Sequence, residues 1–140
     1  MKILMYSVRD DEEAAIKAWA TSNNVQLDTN DLEFHPDTAD LVKGYDGVVI
    51  QQRSAIGDDP TVYQKLADMG IKQLTSRTAG VDTIDIPAAK AAGLTVTNVP
   101  AYSPNAVAEM SVAQTMRLIR NLELFDSRVG QQNFQWAGLQ

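Results

Sequence analysis

A chain of 140 residues, 44% hydrophobic and 21% charged, is long enough for one hydrophobic core and too apolar for disorder, and no apolar run approaches the roughly 18 residues of a membrane span. A formal charge of −6 argues against a general nucleic-acid or anionic-membrane surface, and a sequence without cysteine has no disulfide, thiolate metal site or cysteine nucleophile. Met1-Lys2-Ile3-Leu4 runs straight into a strand pattern with no signal-peptide layout, so a cytoplasmic protein is expected.

Lys2 to Val8 is a β-rich run. It gives way at Arg9-Asp10-Asp11-Glu12-Glu13 to a helical pattern carrying Ala14, Ala15, Ile16, Ala18 and Trp19, with acids in the first turn, where the helix dipole favours them. Val25 to Thr29 alternates like a short strand, Thr38 to Lys43 reads as a short helix, and Gly47 to Gln51 is a compact apolar strand. Asp59 and Pro60 open a helix through Leu66 and Met69 that Gly70 closes, and Ile71 to Thr75 returns to extended form. Ile86 to Ala92 is a helix stopped by Gly93, and Leu94 to Val99 a fifth strand. Five strands separated by helices predict an α/β fold, a flavodoxin-like doubly wound parallel five-stranded sheet covered on both faces.

Pro100 cannot donate to a strand ladder, and Ser103-Pro104 reads as an N-cap and first helical residue. The long helix that follows carries Ala106, Val107, Met110, Val112, Met116, Leu118, Ile119 and Leu122 around nearly its whole circumference. A helix apolar all round expects cover on more than one face, from further polypeptide or a second subunit. The chain thus divides into residues 1–100 and a helix and tail over 101–140. Phe134 and Trp136, late in a tail that turns polar from Gly130, are expected to dock onto something outside this chain.

Ligands of an open parallel sheet gather at the carboxyl ends of its strands. After the fourth strand, the small residues Ala79 and Gly80 allow backbone N–H groups to form a nest for an anion such as a small carboxylate; an ordinary turn that needs glycine is the alternative. Asp82 and Asp85 read as turn or helix-cap acids. Tyr102 precedes the long helix, as a packing residue or as a phenol orienting a substrate, and Val107 is placed to touch a cofactor. Gln51 and Gln52 follow the third strand at the mouth of the same crevice; Gln51 either reads substrate or is merely solvated. His35, the only histidine, precedes Pro36 in a loop and reads as a surface residue. No residue pattern predicts a metal site.

Three blocks carry a resemblance: Lys2-Ile3 through Arg9-Asp10-Asp11-Glu12, Ala79-Gly80-Val81-Asp82-Thr83-Ile84-Asp85, and Asn98-Val99-Pro100-Ala101-Tyr102-Ser103-Pro104-Asn105-Ala106-Val107-Ala108-Glu109. In them the chain resembles, end to end, the N-terminal catalytic (substrate-binding) part of the D-isomer-specific 2-hydroxyacid dehydrogenases, near the D-lactate and D-2-hydroxyisocaproate enzymes. The resemblance implies that the amides of Ala79 and Gly80 receive the carboxylate of a small 2-oxo or 2-hydroxy acid and that Tyr102 lines its pocket. It also implies that the long helix, over residues 103–121, is an interdomain helix that helps form a homodimer. Family members that prefer pyruvate often carry tyrosine where Gln51 stands, a departure at a pocket-lining position. The family's cofactor is NAD, yet its G-x-G-x-x-G fingerprint is nowhere in this sequence, and its catalytic arginine, glutamate and histidine lie beyond the matched region. The NAD-binding domain is therefore expected to be absent from these residues and the chain by itself to be inactive.

A free-standing receiver-like regulatory domain is the competing reading, since Asp10 and Asp11 imitate an acid pair; it lacks an aspartate at Gln51 and a lysine after the fifth strand. A dimerisation module built on the long helix is the third.

Overall fold

The computed structural model describes residues 1–57 and 59–138. The chain divides into two compact units, Met1–Pro100 and Ala101–Gln140.

In the first unit the order is β1 (Lys2–Met5), α1 (Glu13–Ser22), β2 (Gln26–Thr29), a 3-10 turn (Ala39–Val42), β3 (Gly47–Ile50), α2 (Thr61–Asp68), β4 (Gln73–Ser76), α3 (Ile86–Ala91) and β5 (Thr95–Thr97). The strands form one sheet in the order β2-β1-β3-β4-β5, parallel at every pairing, the flavodoxin-like arrangement expected. The chain leaves β1 in one direction to reach β2 and thereafter moves the other way. Right-handed crossovers then place α1 on one face and the 3-10 turn, α2 and α3 on the other, with the switch point between β1 and β3.

The core lies on the second of these faces. Leu4, Val48, Ile50 and Leu74 alternate inward from the strands and cluster with Val62, Tyr63 and Leu66 of α2, Ala89 of α3, and Phe34 and Val42. Tyr6 packs edge-on against Phe34 at 5.4 Å and donates its hydroxyl to the Thr38 carbonyl at 2.8 Å, so it is both core and strut. The opposite face is less covered than expected. Over β4 and β5 it carries Gln73, Thr75 and Thr97, whose side chains bond to one another at 3.0–3.2 Å. Within this unit only α1 lies on that face, and it contacts β2.

Most elements are shorter than their sequence patterns, and three show why. β1 stops at Met5 because Ser7 takes a left-handed conformation (φ 55°) and the Ser7 and Val8 amides turn to the carbonyls of Leu32 and Asn30. α1 starts at Glu13, because Arg9–Glu12 first closes a turn of its own. β5 is confined to Thr95–Thr97: the Leu94 amide is held by Ala89 at the end of α3, and the Val99 amide by Thr78 in the turn after β4. Gly70 and Gly93, with φ of 88° and 79°, follow α2 and α3 in the left-handed conformation that suits glycine.

The second unit holds α4 (Pro104–Ile119) and α5 (Leu122–Gly130). The single helix expected over 103–121 is cut short by Asn121, left-handed at φ 52°, so Leu122 opens α5 instead of closing α4. Ser103 occupies the N-cap position but its side chain makes no capping bond. Arg117 and Asp126 link the two helices at 3.3 Å, and Arg128 donates to the carbonyls of Gln135 and Ala137, folding the tail back. No residue of α4 or α5 is buried; Leu118 is 82% exposed, and Phe134 and Trp136 are exposed as well. Among the described residues, no helix is long and apolar enough to cross a membrane.

Candidate functional site

The turn between β4 and α3 stands at the carboxyl edge of the sheet and spends its carbonyl groups on its own chain. The Thr78 carbonyl accepts the Val99 N–H at 3.0 Å, the Ala79 carbonyl accepts Asn98 Nδ2 at 2.7 Å, and the Gly80 carbonyl accepts the Thr78 hydroxyl at 2.6 Å. Ser76 Oγ lies 2.6 Å from Thr78 Oγ1 and joins the same network. The N–H groups of Ala79, Gly80 and Val81 donate to no acceptor among the described residues, and Ala79 and Gly80 are exposed. The Val81 carbonyl accepts the Ile84 N–H at 2.9 Å, so four consecutive carbonyls are engaged while the amides from Thr78 to Thr83 have no acceptor among the described residues, a polarity suited to an external anion. Gly80 is not left-handed; a β-carbon there would stand 2.8 Å from Asp82 Oδ1, the tip of an exposed side chain that must move to admit it. Asp85 caps α3 by accepting the Ala88 N–H at 2.9 Å, and its own N–H goes to the buried Tyr63 hydroxyl at 2.8 Å.

Gln51 and Gln52, adjacent in sequence, part company in the structure. Gln51 is half-buried just beyond Ile50 and has no hydrogen-bond partner among the described residues. Gln52, expected beside it at the crevice mouth, points inward instead. The residue is 7% exposed, and its amide clamps the Phe34 backbone from both sides, accepting the N–H at 3.0 Å and donating to the carbonyl at 2.8 Å. His35, expected on the surface, is half-buried. Its Nδ1 faces the Ile56 carbonyl at 3.1 Å, which assigns the proton to that nitrogen, and its Nε2 lies 3.4 Å from Ser54 Oγ and 3.6 Å from Glu33 Oε2. The Ser54 hydroxyl bonded to Glu33, with the N–H groups of Arg53 and Ser54, holds that carboxyl below the usual range against the opposing effect of burial.

Arg77, which sequence reasoning passed over, ties the carboxyl edge together. Its N–H donates to the Ile50 carbonyl of β3 at 2.8 Å; its guanidinium reaches Glu12 at 2.7 Å and the carbonyls of Tyr6 and Ser7 beyond β1 at 3.2 and 2.9 Å. Nε is buried with no partner among the described residues. The available signal was an arginine directly after a strand and directly before a turn of small residues. Burial pushes the Glu12 carboxyl up, but the Arg9 N–H and the charges of Arg77 and Arg9 together outweigh it and leave it below the usual carboxylate range.

Ala79 and Gly80 thus share one turn, and Gln51 follows the neighbouring strand. Tyr102 and Val107 belong to the second unit, where they are 72% and 57% exposed, Tyr102 ahead of α4 and Val107 in its first turn. The first β-to-α turn does not fit the diphosphate of a dinucleotide. The turn from β1 into α1, where a diphosphate would meet a helix N-terminus, contains no glycine and presents Asp10, Asp11, Glu12 and Glu13. Among the described residues no three acidic or imidazole groups gather as metal ligands.

The family model described as D-isomer specific 2-hydroxyacid dehydrogenase, catalytic domain, matches residues 3–133. The D-lactate dehydrogenase of Lactiplantibacillus plantarum is 45% identical over 139 residues, covering 98% of this chain and 41% of that protein. A D-2-hydroxyacid dehydrogenase (NAD(+)) of Clostridioides difficile is 44% identical over 137 residues, covering 97% and 41%. The solved structure of a D-lactate dehydrogenase from Sporolactobacillus sp. is 62% identical with a TM-score of 0.75, covering all of this chain and 42% of that one. The chain spans about two-fifths of the length of these relatives, and it belongs to the D-isomer-specific 2-hydroxyacid dehydrogenases, as a part of their catalytic domain.

Proposed function

We propose that this chain supplies the carboxylate cradle of an NAD-dependent D-2-hydroxyacid dehydrogenase, which reduces a 2-oxo acid to the D-2-hydroxy acid. The observation that carries the proposal is the turn after β4, where the four carbonyls of Thr78 to Val81 are occupied internally and the amides of Ala79, Gly80 and Val81 are among those left for an outside acceptor. A substrate carboxylate fills that role, and charge-assisted bonds of this kind contribute about 1.5–3 kcal/mol each. Gln51, half-buried at the end of the adjacent strand, reads the 2-substituent of the acid, and the family resemblance makes Tyr102 a further substrate-contacting residue. Where pyruvate-preferring relatives carry a phenol at the Gln51 position, an amide there favours a different or broader set of side chains.

The chain's own part is to bind and orient. Hydride delivery, carbonyl polarisation and protonation of the alkoxide are assigned to no residue among these 140, and NAD is held by polypeptide other than the residues described. Val107 at the start of α4 is the one position in this chain proposed to touch the cofactor. The remaining apolar surface of α4, including Met110, Leu118 and Ile119, is proposed to pack in a homodimer and against the rest of the enzyme.

Titration of the ¹⁵N-labelled chain with oxamate, an unreactive 2-oxo acid mimic, tests the cradle. Shifts centred on the Ala79 and Gly80 amides, saturating at roughly millimolar concentration, are expected. Shifts centred elsewhere would remove the reading. Assays with NADH and a panel of 2-oxo acids are expected to show no turnover by the chain alone, and light scattering is expected to show a dimer.

A further inference from the structure

We infer that Arg77 is a positioning residue: it holds the Thr78–Val81 turn in its acid-binding pose by bolting it to the ends of β1 and β3. The inference rests on the reading of Ala79 and Gly80 as carboxylate ligands.

Arg77 is the residue at which β4 passes into the turn, and each of its polar arms but one is committed to a different segment. The N–H fixes its backbone to Ile50; one terminal nitrogen is on Glu12 at the start of α1; the other is shared between the carbonyls of Tyr6 and Ser7. Ser7 is itself left-handed, an uncommon conformation for a residue with a side chain, and it is held from both sides by Leu32 and Arg77. The segment after β1 and the turn after β4 are therefore fixed to each other through one guanidinium.

Charge alone does not explain the residue. Glu12 neutralises it at 2.7 Å, and Glu12 is in turn oriented by the Arg9 N–H at 3.1 Å, so the guanidinium is not a free cation offered to a substrate. What it provides is a planar fork that serves a carboxylate and two carbonyls at once. A lysine ammonium keeps the charge but not that geometry. On the far side of Arg77, the network of Ser76, Thr78, Asn98 and Val99 orients the turn's carbonyls. Arg77 fixes where that network starts.

The test uses the full ¹⁵N-labelled chain as wild type, Arg77→Lys and Tyr45→Phe. Tyr45 bonds Asp28 at 2.8 Å away from this turn, so its variant controls for general loosening. Arg77→Lys is expected to shift the amides of residues 78–81 in the absence of any acid and to weaken oxamate binding about fivefold or more, whereas Tyr45→Phe leaves both close to wild type, even where its urea midpoint falls as far. A folded Arg77→Lys with wild-type turn amides and wild-type oxamate affinity would overturn the inference. If wild type shows no oxamate shift at Ala79 and Gly80, the cradle reading fails, and the acid-free spectra still decide the pose: altered turn amides uphold the inference, unaltered ones defeat it. Should Arg77→Lys not fold, Glu12→Gln, which retains the arginine, is judged by the same two readouts.

Discussion

Asp82 Oδ1 stands 2.8 Å from the place a β-carbon on Gly80 would occupy, so a side chain on one turn residue and the carboxylate of the other compete for the same space. Gly80→Ala must push Asp82 aside, and because Asp82 is exposed the displacement is affordable. A stability loss of about 1 kcal/mol is expected, together with weaker oxamate binding at the neighbouring amides. In an Asp82→Ala background the same substitution should cost less, with a coupling of roughly 0.5 kcal/mol or more in a double-mutant cycle of urea unfolding. Strict additivity would show that the two groups do not compete for the space.

Neighbouring glutamines should respond differently to truncation. Gln52→Ala leaves the buried N–H and carbonyl of Phe34 without partners, and a loss of about 2–3 kcal/mol in urea unfolding is expected. Gln51→Ala, which breaks no side-chain hydrogen bond among the described residues, should stay within about 0.5 kcal/mol. Any larger effect of Gln51 in a complete enzyme should appear as a change in the preferred 2-oxo acid.

Acidification should weaken the edge that Arg77 secures. The folded Glu12 carboxyl lies below its ordinary value, so the native state binds fewer protons there than the unfolded chain, and stability rises with pH through that window. The contribution is complete above the ordinary glutamate value of about 4.3 and is lost as pH falls through the lowered folded value; Glu33 acts in the same sense. Urea midpoints followed downward from neutral pH should fall less steeply for Glu12→Gln than for wild type. Parallel acid limbs would contradict the assignment.

An alkaline limb is expected from Tyr6. Burial, with a smaller addition from Tyr45, pushes its phenol up to about 12. Since the folded value is raised, the contribution is intact below the unfolded value of about 10 and is lost as pH rises through about 12. Phenolate absorbance should show late-titrating tyrosine in the folded chain, Tyr63 being raised by burial as well. Tyr6→Phe should flatten the decline of the urea midpoint above about pH 10.

Much of the architecture could be read from residue order, because the signals are local. Gly70 and Gly93 stop helices through a conformation that suits glycine, and the apolar run at Gly47–Ile50 announces a strand whose alternate residues Val48 and Ile50 are buried. Boundaries were less legible. β1 ends at Met5 because the Ser7 and Val8 amides find acceptors at Leu32 and Asn30, more than twenty residues away, and no local pattern records that partnership. Asn121 divides α4 from α5 through a left-handed turn inside a run whose apolar spacing reads as continuous.

For the site, residue order located the small-residue turn at Ala79 and Gly80 and the acids that follow it, because backbone freedom and helix capping depend on residue type. Tertiary structure decided which groups are spent and which are free. It turned Gln52 inward and left Gln51 at the edge, drew His35 into a half-buried bond with Ile56, and made Arg77 the common fastening of three strand ends. The physical reason is that hydrogen-bond satisfaction is a property of the folded surroundings: a polar residue's sequence states what it can donate or accept, and only neighbours brought from distant segments determine whether it does.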